Sequence, residues 1–458
     1  MKNSVLIKVL SVVLGTILTG SVLVGCGGRG VGSNGKALEI TAVDKGYGTA
    51  WLQEIADLYT AEVGTYIEVI PDSNLIEGLP QKINNNPSDI YFTFNLSEQW
   101  IQWANTDKIV NLSEVIEDSR FRSSVISDLG KYDGQRYTIP FSCSPTGFVY
   151  NQVLLNKIDS YGEYTVGQFP STWQGLLDLC EATKRANLTA YGDKVVPLSV
   201  GGGVNDLCYI FKALWGQLDQ QGFIEYFSQN DPETFVKDLL VNDSTITAMQ
   251  AIKDLLGVDG ANNIDNWVSK DNIAAENAFC NGYAVFTVSG SWFEVEEAEI
   301  IEDTNKNELD YHFAPVPVMA GKQVTTYLNL PGDYFMITKN GVNGDVDEAK
   351  NFIKFLLRES SIKKIHEAIQ TPLAYNYSTD GINLTSWGRE TDNVVKNAVG
   401  MVGGSNTKVC LSGALNIDMQ ANMNFINMSR GTTATDAINA IYDTLNETYT
   451  ETARKFFS

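Results

Sequence analysis

Residues 38–70 read LEITAVDKGYGTAWLQEIADLYTAEVGTYIEVI, and their periodicity changes twice. LEITAV (38–43) is a branched, β-type run, and DKGYG (44–48) is a glycine-containing turn. From Thr49 the apolar positions Trp51, Leu52, Ile55, Leu58 and Tyr59 share one helical face, with Gly64 near the expected C-cap. TYIEVI (65–70) returns to β-type, and SDIYFTF (88–94) supplies a third strand after a polar, helical-looking connection. Strand, helix, strand at this spacing predicts a parallel sheet with crossover helices, an α/β fold. Ligands of such sheets bind at the carboxyl ends of the strands, here DKGYG and the FTFNLSEQW loop.

The remainder continues in the same style. YTIPF (137–141) and GFVYN (147–151) read as strands, and STWQGLLDLCEATKRA (171–186) as an amphipathic helix capped by Ser171 or Thr172. VVPLSV (195–200) runs through Gly201–Gly203 into a helix over LCYIFKALWGQL (207–218). TAMQAIKDLLG and NIAAENAFCNG are further helices, the second feeding the strand YAVFTVSG (283–290). The C-terminal third predicts the strand DYFMIT, one long helix over 347–369, and a final helix over 434–457.

At the other end, Lys2 and Lys8 precede an apolar run from Val9 to Val24 that is short and glycine-interrupted for a membrane span. It fits a secretory signal peptide. Leu23-Val24-Gly25-Cys26 matches a lipobox, which implies cleavage before Cys26 and its lipidation. The glycine-rich stretch that follows reads as a flexible tether.

The formal net charge is −22, and loss of the two leader lysines would bring it near −24. That balance excludes nucleic acid, whose phosphates need clustered Lys and Arg, and disfavours polyanions. Beyond Cys26 stand Cys143, Cys180, Cys208, Cys280 and Cys410, with no C-x-x-C and no Cys/His cluster. A zinc site is not expected, and mostly free thiols are.

Five stretches, in order along the chain, resemble the bacterial extracellular solute-binding proteins of the sugar-binding type that serve ABC importers. DGQRYTIPFSCSPTGFVYNQVLLNKI (133–158) is similar to their D-G-x-x-Y-x-I-P … Y-N-x-x-L segment. FPSTWQGLLDLCEATK (169–184) resembles a P-x-T-W-x-E-L helix start, with Gln174-Gly175 where an acid is commoner. AFCNGYAVFTVSGSWFE (278–294), DVDEAKNFIKFLL (345–357) and TPLAYNYS (371–378) complete the set.

The resemblance implies a two-lobed, periplasmic-binding-protein-like (class II) α/β fold with a hinge and an interlobe ligand cleft. By position it implies a leader at 1–25, a tether at 26–37, one lobe from 38–141 plus 291–357, and another from 142–290 plus 358–458. Chain crossings would fall near Phe141–Pro145, Ser289–Trp292 and Arg358–Ser361. It also implies a lipid-anchored extracytoplasmic monomer, preferably on the outer face of a single-membrane bacterium. Such a protein would hand a mono- or oligosaccharide to ABC permease subunits and use no cofactor. A non-sugar solute (peptide, polyamine, polyol phosphate) and a surface glycan-docking lipoprotein remain as alternatives.

Sugar recognition needs flat apolar faces and planar polar groups. Trp292 and Tyr47 are the candidate stacking residues; Trp51 belongs to the core face of its helix. Asp44, Asn95, Ser142, Asn205 and Asp333 are the candidate hydrogen-bonders. GGGVND (201–206) lacks the Lys and Ser/Thr of a P-loop, so a close-packed turn beside the cleft is expected. NLPGDY (329–334) could bring backbone to the ligand from the first lobe. His312 and His366 are the only histidines, and no hydrolase signature accompanies them, so catalysis is not expected. The acids of EVEEAE (294–299) resemble a solvated helix face.

Overall fold

The computed structural model describes residues 31–94, 99–202, 206–227, 236–304, 309–323, 327–329, 332–398, 400–402 and 417–457. Nine strands build its two main sheets. In chain order they are β1 (Ala37–Val43), β2 (Tyr66–Asp72), β3 (Ile90–Phe94), β4 (Ile139–Pro140) and β5 (Thr146–Asn151). β6 (Val196–Ser199), β7 (Ala284–Gly290), β8 (Tyr311–Ala314) and β9 (Asp333–Ile337) follow.

The first sheet has the order β2-β1-β3-β9-β4. β1 lies parallel to β2 and β3, as the strand–helix–strand spacing requires, and β9 closes the sheet antiparallel to β3 and β4. The crossover helix α1 (Ala50–Val63) buries Trp51, Leu52, Ile55, Ala56 and Tyr59 against this sheet. It ends where Gly64 adopts φ 85°, a left-handed cap that glycine takes without steric cost. Trp51 is a core residue: its ring stacks on Phe141 at 4.8 Å.

The second sheet runs β6-β7-β5-β8, with β6 parallel to β7 and the rest antiparallel. Around it pack α2 (Trp173–Ala186), α3 (Asp206–Leu218), α4 (Asp243–Leu256) and α5 (Asn272–Cys280). The Thr172 hydroxyl caps α2 by accepting from Gly175 N–H. Short α6 (Phe293–Glu296) follows β7 directly.

The long helix expected over 347–369 is two. α7 (Val346–Leu356) stops before Arg358, whose extended backbone (φ −64°, ψ 146°) starts α8 (Glu359–Ile369). Both bury their apolar faces in the first core through Phe352, Ile353, Ile362 and Ile365. Near the C-terminus, α9 (Ala434–Phe457) packs Ala437, Ile438, Ile441 and Leu445 into the second core.

Sheet and core membership correct the expected division of the chain. β8, expected with the first lobe, pairs with β5 in the second sheet, and Val318 O accepts from Trp173 N at 2.8 Å. The return to the first sheet therefore falls between Val318 and β9, rather than near Ser289–Trp292. α8 and Leu373–Tyr375, expected with the second lobe, belong to the first core. Beyond Tyr375 the chain leaves the first core for Trp387, which packs with Phe279, Phe293 and Phe313 in a small third cluster, and Val395 on the same helix returns to the first core. Helical periodicity shows which face of α8 is apolar, but not which sheet it covers. Cys143, Cys180 and Cys280 are buried free thiols and Cys208 is buried; Cys26 and Cys410 lie outside the described residues.

Candidate functional site

β4 belongs to the first sheet and β5 to the second, so residues 141–145 pass between them. Ser142 and Ser144 stand on this passage. β9 starts at Asp333, opposite Phe94 at the carboxyl end of β3, where an α/β sheet offers its ligand edge. Phe141 N–H donates to Asp333 O at 3.0 Å, which holds the passage against the head of β9.

These elements assemble one polar network. Asp333 Oδ1 accepts from Ser142 N–H at 3.0 Å and from the Ser142 hydroxyl at 2.9 Å. The Tyr47 hydroxyl donates to Ser142 Oγ at 3.1 Å and lies 2.6 Å from Ser144 Oγ. Tyr47 comes from the turn after β1, its ring edge-on to Phe94. The other oxygen of Asp333, Oδ2, is buried and accepts nothing from the described residues. Burial pushes the Asp333 carboxyl up to about 6, against the Ser142 donors that favour its charge.

From the second sheet, β7 delivers Ser289, Gly290, Ser291 and Trp292. Trp292 is half-buried, packs against the first core, and meets the Tyr209 ring of α3 at 6.2 Å. A Cβ on Gly290 would stand 2.2 Å from the Trp292 ring, so only glycine lets the indole lie over the strand end. Ser291 N–H donates to Pro145 O, tying this segment to the first passage.

An acid group lies beside them. Asp206 heads α3, Glu276 sits on α5, and Glu296 and Glu297 stand at the end of α6. Burial, then the Glu296 charge, pushes Asp206 up to about 7. Burial and Glu296 likewise take Glu297 to about 7. Glu276 is held well above the usual carboxylate range by burial, then by Glu296 and Asp206. Glu296 is raised by burial, with the Gly46 N–H of the first lobe working the other way.

Of the residues singled out in the sequence, the structure joins Tyr47, Ser142 and Asp333 directly and sets Trp292 at the meeting of the two lobes. Asp44 is exposed and stands outside the network. Asn95 and Asn205 lie outside the described residues. EVEEAE is not a solvated face: Glu297 is 2% exposed, and Glu294 accepts from Tyr311 and Thr385. Acids crowded on one short helical stretch look like surface, and only tertiary packing turns Glu297 inward and half-buries Glu294 and Glu296. Gly201 and Gly202 form the close-packed turn expected, since a Cβ on either would lie within 2.6 Å of backbone at 268–271. Sequence reasoning missed Ser144, Tyr209, Asp206 and Glu276. Asp206, directly after the glycine turn at a strand-to-helix junction, carried a usable signal.

Two α/β lobes, linked by passages that carry the polar and aromatic groups between them, define the two-lobed class of solute-binding folds. The chain belongs to the bacterial extracellular solute-binding proteins, whose family model matches residues 54–379. Membership implies a place outside the cytoplasm, in a family of solute-binding proteins. No helix among the described residues is long and apolar enough to cross a membrane.

Among solved structures the chain is similar to the GacH receptor of Streptomyces glaucescens, determined unliganded and with acarbose and an acarbose homolog. The TM-score is 0.64 at 16% identity, over 90% of this chain and 98% of that one. It is also similar to the solute-binding protein RafE in complex with raffinose, with a TM-score of 0.66 at 14% identity, over 90% of this chain and 99% of that one. Such identities establish the fold. No curated protein sequence matches the chain significantly.

Proposed function

We propose that the chain is a lipid-anchored receptor that captures a mono- or oligosaccharide between its lobes and delivers it to the permease subunits of an ABC importer. One observation carries this reading. Tyr47, Ser142 and Asp333 meet where the chain passes between the sheets, and Asp333 keeps one buried oxygen unpaired. A carboxylate oriented by two donors, with a free oxygen beside an aromatic platform, suits hydroxyls on a pyranose ring. The sugar complexes of GacH and RafE support the ligand class. Cys26 would carry the lipid, with the residues before Gly32 as tether. The tether expected to run to residue 37 ends earlier, because Gly32 N–H donates to Lys36 O, Lys36 bonds Glu348 and Ala37 opens β1. The lobes would close over the solute because it contacts both and so favours the closed state.

The test is a ligand-dependent thermal shift across neutral sugars, amino acids and polyamines. A solute that binds only the folded state raises stability by about 2.7 kcal/mol at a hundredfold excess over Kd. A large shift with one saccharide class supports the reading. Shifts confined to peptides or amino acids would sink the sugar assignment and leave the two-lobed binding fold standing.

A further inference from the structure

The acid group of the second lobe has no role in holding the fold that its contacts reveal. Glu276 and Glu297 are 3% and 2% exposed, and each buries an Oε2 that accepts no hydrogen bond. Glu296 Oε2 is in the same condition. The charge acting on Asp206 and Glu297 is the Glu296 carboxylate, while Glu276 meets Glu297 in a side-chain hydrogen bond. Buried carboxylates without a counter-charge are strongly disfavoured, and an amide or apolar side chain would fill the same space better. Their presence is accounted for by a positive charge that arrives with the solute.

The position fits. Asp206 precedes Tyr209 by one helical turn on α3, and Tyr209 meets Trp292 edge-on. Ser289 is a hydrogen-bond neighbour of Glu276, and the Ser291 hydroxyl is buried with no partner among the described residues. Gly46 of the first lobe faces Glu296, so the acids border the interlobe region. Among the described residues, no three His, Cys, Asp or Glu side chains are placed to hold a metal ion. The charge expected is therefore organic and spread over several carboxylates. Aromatic faces beside an ammonium add cation–π attraction.

We propose that the captured solute is a sugar bearing a protonated amine, whose ammonium group sits among Asp206, Glu276, Glu296 and Glu297 while its ring lies against Trp292. This rests on the sugar-binding reading above and names the class of sugar.

The test is isothermal titration of the full-length protein with the β-1,4 glucosamine dimer, its N,N′-diacetyl form, cellobiose, spermidine and calcium chloride. The expected result is at least about tenfold tighter binding of the free-amine dimer than of cellobiose or the acetylated dimer. In the E276Q/E297Q variant that preference collapses towards unity, while the ligand-free Tm rises, showing that the variant folds. Cellobiose binding as tightly as the amine dimer would overturn the proposal and leave the sugar reading intact. Binding of spermidine with no response to any sugar would overturn the sugar reading, and the amino-sugar assignment with it. Calcium matching the amine would overturn it in favour of a metal site, and silence from every probe would overturn both readings.

Discussion

Ser142 gives both its backbone N–H and its hydroxyl to one oxygen of Asp333, at 3.0 and 2.9 Å. The pair links the passage between the sheets to the head of β9, 191 residues on. Two donors on Oδ1 fix the carboxyl plane, and the orphaned Oδ2 is the oxygen left for a ligand. Asp333→Asn keeps the shape and an acceptor for Ser142 but exchanges the free oxygen for a donor. We expect unchanged or higher thermal stability and a solute affinity lower by about 1.5–3 kcal/mol, measured by titration calorimetry. Wild-type affinity in this variant would show that Asp333 does not touch the solute.

Gly290 and Trp292 behave as a unit. Adding one methyl in Gly290→Ala drives a Cβ into the indole, which stands 2.2 Å from that position. Displacing the ring and deleting it in Trp292→Ala should weaken solute binding alike, by about 1–2 kcal/mol. Titration of both variants decides it, because a purely structural tryptophan would leave affinity untouched.

The raised acids make stability depend on pH. Asp206 and Glu297 lie at about 7 and Asp333 at about 6 in the folded protein, above their ordinary 3.8 and 4.5. The folded state holds protons that the unfolded chain has released. Their contribution is therefore full below about pH 4 and lost as pH rises through about 7. His366, lowered to about 4 by burial, acts the other way: its contribution is present above about 6.5 and lost as pH falls through 4. A variant carrying Asp206→Asn, Glu297→Gln and Asp333→Asn shares His366 with the wild type. Its ligand-free Tm should exceed the wild type's by a margin that grows between about pH 5 and 8. Parallel curves in differential scanning calorimetry would show that these acids do not titrate as the burial argument requires.

Glu348 is a structural acid by contrast. Its side chain on α7 accepts from Tyr59 at 2.8 Å, from Thr65, and from Lys36 Nζ at 2.9 Å. Glu348→Ala leaves the buried Tyr59 hydroxyl unpaired and Thr65 with Asn34 alone, and should cost about 2–4 kcal/mol in urea denaturation, with Glu348→Gln costing less. Solute affinity should not change. Trimming the chain past Lys36 removes one partner and should lower stability in the same direction.

Local chemistry made much of this protein legible. Branched runs, the glycine cap at Gly64 and the apolar stripe of α1 foretell β1-α1-β2, because backbone preference and period-2 or 3.6 burial act over neighbouring residues. Tyr47, Ser142, Asp333 and Trp292 were reachable because they sit at strand ends and on sheet-to-sheet passages. Other features depended on who packs against whom. The break at Arg358, the partner of β8 and the burial of Glu297 all required the second surface to be known.

The sequence by itself determined a mixed α/β chain, the parallel β2-β1-β3 part of its first sheet and its likeness to extracellular solute-binding proteins, since each is written in short-range periodicity and ordered motifs. Only the tertiary structure decided which lobe owns α8 and β8, and that the half-buried Asp206 and Glu296 lie with the buried Glu276 and Glu297. Residues up to 91 positions apart acquire raised proton affinities only when folding removes water and brings like charges together, and no local pattern encodes that encounter.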